Sequence, residues 1–144
     1  MKDTIVGLAR KAHSEHWRMS GDEGTGDRLA SKVTESWQRA VTAIDPRRFH
    51  VEYQIAPHLR ERIDIVDLED GTAYELKVSP NNAHFEFYRD IFKVIVARDT
   101  QLPTLRRFVF IAPTLAADKL MRNLGGAVVA DSLSLGLSLE VAGI

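Results

Sequence analysis

Apolar residues recur along the chain with two different periods. Ile5, Leu8, Ala9, Ala12, His16 and Met19 fall on one stripe at helical spacing, so Thr4 to Met19 is predicted as a helix that Asp3 can cap. Ser20 to Gly26 is rich in glycine and acid and reads as a loop. Leu29, Val33, Trp37, Ala40 and Ile44 give a second helix from Asp27 to Ile44, ended by Asp45-Pro46.

The period then drops to two. Phe49, Val51, Tyr53 and Ile55 alternate with polar residues, and Ile63, Ile65, Val66 and Leu68 form a second strand. Asp70-Gly71 is a tight-turn signal, followed by a third strand from Ala73 to Val78. Ser79-Pro80-Asn81-Asn82 breaks the pattern and can cap the next helix. That helix, His84 to Arg98, has apolar residues on most sides and is expected to pack centrally on a sheet. Phe108 to Ala112 reads as a buried strand. Leu115 to Leu124 reads as a helix stopped by Gly125-Gly126. Leu133, Leu135, Leu137, Leu139 and Val141 alternate and predict a last strand. Strands separated by helices predict a single α/β domain over residues 1–144 with a mixed central sheet flanked by helices.

Composition narrows the chemistry. With 144 residues, 44% of them hydrophobic, one packed core is within reach and a second domain is not. Nineteen Lys and Arg against 20 Asp and Glu give a net charge of -1, so any nucleic-acid binding must come from a local patch. The absence of cysteine excludes disulfides, thiolate zinc sites and a cysteine nucleophile, and is compatible with a cytoplasmic setting. No apolar run reaches the roughly 18 residues of a membrane span. The start Met1-Lys2-Asp3-Thr4 does not read as a secretory signal.

The hairpin holds the candidate chemistry. A two-residue Asp70-Gly71 turn would set Leu68 against Ala73, Asp67 against Tyr74, Val66 against Glu75 and Asp64 against Lys77. Asp64, Val66, Glu75 and Lys77 would then project from one face, and Ile63, Ile65, Asp67, Tyr74, Leu76 and Val78 from the other. Two carboxylates and an ammonium meet on a strand pair dense in apolar residues. Oxygen ligands of this kind suit Mg²⁺ or Mn²⁺. The same placement also fits an ordinary cross-strand ion pair on a solvated face.

Ile63-Asp64-Ile65-Val66, a short turn, and Tyr74-Glu75-Leu76-Lys77 together resemble the signature of the PD-(D/E)xK nuclease superfamily. The resemblance runs from about Asp27 to Ala112. It implies a restriction-endonuclease-like α-β-β-β-α-β core, here with an added N-terminal helix and a C-terminal helix and strand. It implies a metal-dependent nuclease acting on DNA, with Asp64, Glu75 and Lys77 catalytic and with Asp64, Glu75 and the Leu76 carbonyl holding Mg²⁺ or Mn²⁺. Nucleic acid is then the partner, with no membrane association, and a homodimer is plausible for so small a domain. A non-catalytic nucleic-acid-binding or assembly module on the same fold is the alternative. Ile63 stands where the motif commonly has proline. Members often add an acid from the first core helix; Asp27 and Glu35 are candidates, and neither is assigned.

Other residues carry weaker signals. Arg89 and Lys93 share a helix face near His84 and can contact phosphate, but a solvated stripe is the favoured reading. Arg47-Arg48, Arg60 with Arg62, and Arg106-Arg107 are small basic clusters near strand starts. His13 and His16 read as packing residues, and Trp17 and Trp37 as core.

Overall fold

The computed structural model describes residues 1–17, 25–124, 129 and 132–144. Met19, most of the first predicted loop and the Gly125-Gly126 helix stop lie outside the described residues. The elements are α1 (Lys2–His16), α2 (Thr25–Thr42), β1 (Phe49–Gln54), β2 (Arg62–Asp67), β3 (Thr72–Leu76), α3 (Ala83–Thr100), β4 (Arg107–Ala112), α4 (Thr114–Asn123) and β5 (Ser138–Gly143). Helix α1 starts before Asp3, which therefore sits inside its first turn and favours the helix dipole rather than capping it.

The strands form one open mixed sheet in chain order, β1-β2-β3-β4-β5. β1, β2 and β3 run antiparallel, and β4 and β5 lie parallel beside β3. Parallel neighbours need crossovers, and α3 and α4 supply them. Ile65, Tyr74, Leu76, Val109 and Ile111 pack against α1 and α2. Val66, Ala73, Phe108 and Phe110 pack against α3 and α4. The alternation along β2, β3 and β4 thus buries both faces of the sheet centre. Among the described residues no helix is long and apolar enough to cross a membrane.

The hairpin register differs from the sequence expectation by two residues. Ile65 faces Tyr74, Val66 faces Ala73 and Asp67 faces Thr72, so the connection is the four residues from Leu68 to Gly71. Asp67 explains the slip: its Oδ1 accepts the main-chain N–H of Glu69 at 3.0 Å and of Asp70 at 3.1 Å, building the turn from the strand's last side chain. Gly71 closes it at φ 62, where a Cβ would lie 2.2 Å from the Thr104 carbonyl oxygen. A slip of two preserves faces, because side chains alternate with period two. Asp64 therefore stays with Val66, Ala73 and Glu75.

Two more expectations are corrected. The last strand begins at Ser138; Leu133 and Leu135 are exposed, and Gly136 at φ 77 interrupts the alternation that predicted an earlier start. Helix α3 packs on the sheet as expected, but its apolar residues are not all buried. Phe85, Tyr88 and Phe92 are exposed, while Asp90 and Lys93 are buried. Lys93 thus does not share a solvated stripe with Arg89.

On the outer strand β1, pairing steps from Val51 opposite Ile65 to Tyr53 opposite Ile63, passing over Glu52. Glu52 lies at φ 49, a left-handed conformation uncommon outside glycine.

Candidate active site

The end of the hairpin away from the turn is where its acids gather. One step beyond the Ile65–Tyr74 pair, Asp64 would oppose Glu75. There the Asp64 carboxylate takes the place of a main-chain acceptor and receives the Leu76 N–H at 2.8 Å. As a residue Asp64 keeps some exposed surface, but its carboxylate is enclosed. Glu75 is only 4% exposed. Neither acid belongs to a solvated surface ion pair.

Helix α3 closes over them. Lys93 Nζ lies 2.5 Å from Glu75 Oε1 and 2.9 Å from Asp90 Oδ1, and it donates to the Arg62 carbonyl at 2.8 Å. The contact to Glu75 is an ion pair without hydrogen-bond angles, so Oε1 is buried with no hydrogen-bond partner. Glu75 and Asp90 share the Lys93 ammonium, Asp64 feels its charge, and Asp90 also meets Arg89 Nε at 3.4 Å.

Burial dominates the titration of all three acids. Burial pushes the Asp64 carboxyl up to about 6, and the Leu76 N–H and Lys93 only partly counter it. Burial, then the charges of Asp64 and Asp90, raise Glu75 well above the ordinary carboxylate range. Asp90 is raised by burial as well. Lys93 is pulled down by burial but held above its ordinary value overall by Glu75 and Asp90.

Lys77 does not join either strand acid. It follows the last residue of β3, and its Nζ pairs with Glu86 Oε1 on α3 at 2.9 Å. The expected pairing of Asp64 with Lys77 is thereby corrected: the register slip moves Lys77 past Asp64, and Lys93 takes the place beside the acids. Lys77 instead lines a cleft of about 430 Å³ with Asp27, Glu35, Gln38, Glu52, Leu76 and Glu86. Leu76 thus gives its N–H to Asp64 and a wall to the cleft.

Helix α2 forms the opposite wall. Gln38, 7% exposed, donates from Nε2 to Glu52 Oε1 at 2.7 Å and to the Asp64 carbonyl at 3.0 Å, tying the helix to β1 and β2. Glu35 and Asp27 are exposed on that wall. Trp37 is fully buried and donates from Nε1 to the Ile5 carbonyl at 3.0 Å, whereas Trp17 lines the cleft rather than filling the core. His13 stacks near Trp17, with ring centroids 6.0 Å apart, in keeping with a packing role.

Sequence reasoning missed Asp90 and Glu52, and it placed Lys93 on a solvated stripe where the structure buries it. Asp90 had a readable signal. Ala83, Phe87, Val94 and Ala97 are buried at steps of three and four, and Asp90 interrupts that stripe. Glu52 had none, since only the backbone twist of β1 marks it.

Among the described residues no three His, Asp or Glu side chains converge as a ready ligand set for a metal ion. Comparison with protein-family models, with curated proteins and with solved structures finds no match for this chain.

Proposed function

We propose that this chain is a metal-dependent nuclease of the restriction-endonuclease-like fold, acting on DNA. The observation that carries the reading is a pair of buried carboxylates, Asp64 and Glu75, on adjoining antiparallel strands beside a cleft with Lys77 on its wall. The strand order and the crossover helix α3 between β3 and β4 support the same reading.

The donors suit a hard divalent cation in kind. Both carboxylates are buried oxygen donors, Glu75 Oε1 is held only by its ion pair to Lys93, and Mg²⁺ commonly takes one or two carboxylates and keeps its waters. Asp64, Glu75 and the Leu76 carbonyl would hold Mg²⁺ or Mn²⁺. Such an ion supplies an acidified water and neutralises charge on a phosphodiester. The chain's own contribution is orientation. The Leu76 N–H fixes the Asp64 carboxylate, and Gln38 fixes the strand that carries it. Lys77, released from Glu86, holds the attacking water or the charge that builds on phosphorus. A homodimer and a cytoplasmic setting belong to the same proposal.

The test is to incubate plasmid and single-stranded DNA with the protein, with and without Mn²⁺. Cleavage that requires Mn²⁺ and is lost in Lys77→Ala is the expected result. Equal background for wild type and Lys77→Ala at every metal concentration overturns it.

A second reading is a non-catalytic binding or assembly module. It is favoured by one observation: both lysines of the region are already spent, Lys77 on Glu86 and Lys93 on Glu75. Calorimetric titration with Mn²⁺ separates the two. A catalytic site binds the ion in a way that Asp64→Asn weakens, and a module binds none.

A further inference from the structure

Lys93 occupies an unusual place for a lysine. It is 8% exposed, and its ammonium reaches Glu75, Asp90 and the Arg62 carbonyl. An ammonium has three N–H groups, and here three oxygens surround it. It reaches them from α3, and neither it nor the two strand acids line the cleft that Lys77 and α2 form.

The charge count is uneven. Asp64, Glu75 and Asp90 carry three formal negative charges when ionised; Lys93 returns one, and the half-exposed Arg89, 3.4 Å from Asp90, returns a second. A cluster built only for stability would be neutral or fully paired, because an uncompensated buried charge is costly. This one leaves room for further positive charge, and Glu75 Oε1 is held by its ion pair to Lys93 alone.

We infer that Lys93 is a resident cation of the acid cluster, a positioning residue whose ammonium competes with a divalent metal ion for Glu75 and so weakens the site's hold on that ion. The inference rests on reading Asp64 and Glu75 as the metal-binding pair. Lys93 keeps Glu75 in place when no metal is present and gives up part of its carboxylate when one arrives. Weak binding of this kind makes metal entry depend on a second source of negative charge, such as the phosphodiester of the substrate.

The opposite expectation holds for a lysine that merely supports the fold: its removal would loosen the site and weaken metal binding. The test measures Mn²⁺ affinity by calorimetry and the Mn²⁺-induced rise in melting temperature for the full chain. It compares wild type, Lys93→Met, Lys93→Arg and the double variant Lys93→Met with Glu75→Gln. Lys93→Met should bind Mn²⁺ at least about tenfold more tightly than wild type and gain more thermal stability from it. Lys93→Arg should resemble wild type, and the double variant should lose the gain. A Lys93→Met protein that is unfolded alone but folds on adding Mn²⁺ also supports the inference. Equal or weaker Mn²⁺ binding by folded Lys93→Met overturns it, as does a variant that stays unfolded at saturating Mn²⁺. The nuclease reading fails separately: tighter Mn²⁺ binding by Lys93→Met, with no DNA cleavage by wild type, leaves the inference standing and removes the enzyme.

Discussion

The β2–β3 hairpin holds buried acids at both ends, and the two ends treat them in opposite ways. At the turn, Asp67 is completely buried and fully satisfied. Its Oδ1 accepts from two turn amides and from Arg48 Nε at 2.9 Å, and its Oδ2 accepts from Arg48 Nη2 at 2.7 Å. The same guanidinium reaches Asp70 at 2.9 Å and Glu69 at 2.8 Å. The carboxylates of Asp67 and Asp70, with Glu69, in turn hold Arg48 well above the usual guanidinium range, against the pull of its own desolvation. At the open end, Asp64, Glu75 and Asp90 have only Lys93 and the half-exposed Arg89 between them, and Glu75 Oε1 has only its ion pair to Lys93. The contrast teaches what burial alone does not. A buried carboxylate with every lone pair used is a structural part; a buried carboxylate left short of partners is held ready for something else.

The largest expected effect tests the turn end. Arg48→Met leaves Asp67 buried and uncompensated, and should cost about 3–5 kcal/mol in chemical denaturation. A loss below about 1 kcal/mol would show that the turn end is no better built than a surface pair. Next comes the open end. Lys77→Ala should lower Mn²⁺-dependent DNA cleavage by about 100-fold or more while changing stability by about 1 kcal/mol or less, so that chemistry and folding separate there.

Asp64→Asn sharpens the contrast by sign. The folded-state carboxyl titrates near 6, above its unfolded value, so its contribution is fully present below the unfolded pKa and is lost as pH rises through about 6. The asparagine variant escapes that loss. At pH 7.5 it should be more stable than wild type by up to about 3 kcal/mol, and at pH 3.5 the two should converge, as read by urea denaturation at both pH values. Mn²⁺ binding should fall at the same time. A destabilised Asp64→Asn at pH 7.5 would place Asp64 in the same class as Asp67. The smallest effect returns to the turn: Gly71→Ala, at φ 62 and against the Thr104 carbonyl, should cost about 2 kcal/mol without altering metal binding.

The faces of the hairpin were legible in the sequence, for physical reasons, whereas the pairing of Asp67 with Arg48 was not. The alternation of Ile, Val and Leu with Asp and Glu assigned faces to β2 and β3, and a slip of two left those faces intact. What the alternation could not locate was the closing pair, because that depended on Asp67 folding back to bind the turn amides. Helix α3 was harder. Its many aromatic residues hid two separate stripes, one buried through Phe87 and Val94 and one exposed through Phe85, Tyr88 and Phe92. Lys93 shares a helix face with Arg89, and only the passage of α3 over β2 decides that one is buried and the other half exposed. The expected ammonium of the site was Lys77; the one beside the acids comes from sixteen residues further along, through a tertiary contact that no local pattern encodes.

The twist of β1 at Glu52 has a consequence beyond the cleft. An unprotected outer strand is a template on which another chain can continue the hydrogen-bonded ladder, the first step toward fibrous association. Here the middle of that border carries a left-handed residue with an exposed carboxylate, so an incoming strand finds its run of amides and carbonyls interrupted halfway. The same backbone kink that turns an acid toward Gln38 therefore blunts one side of the sheet against unwanted growth.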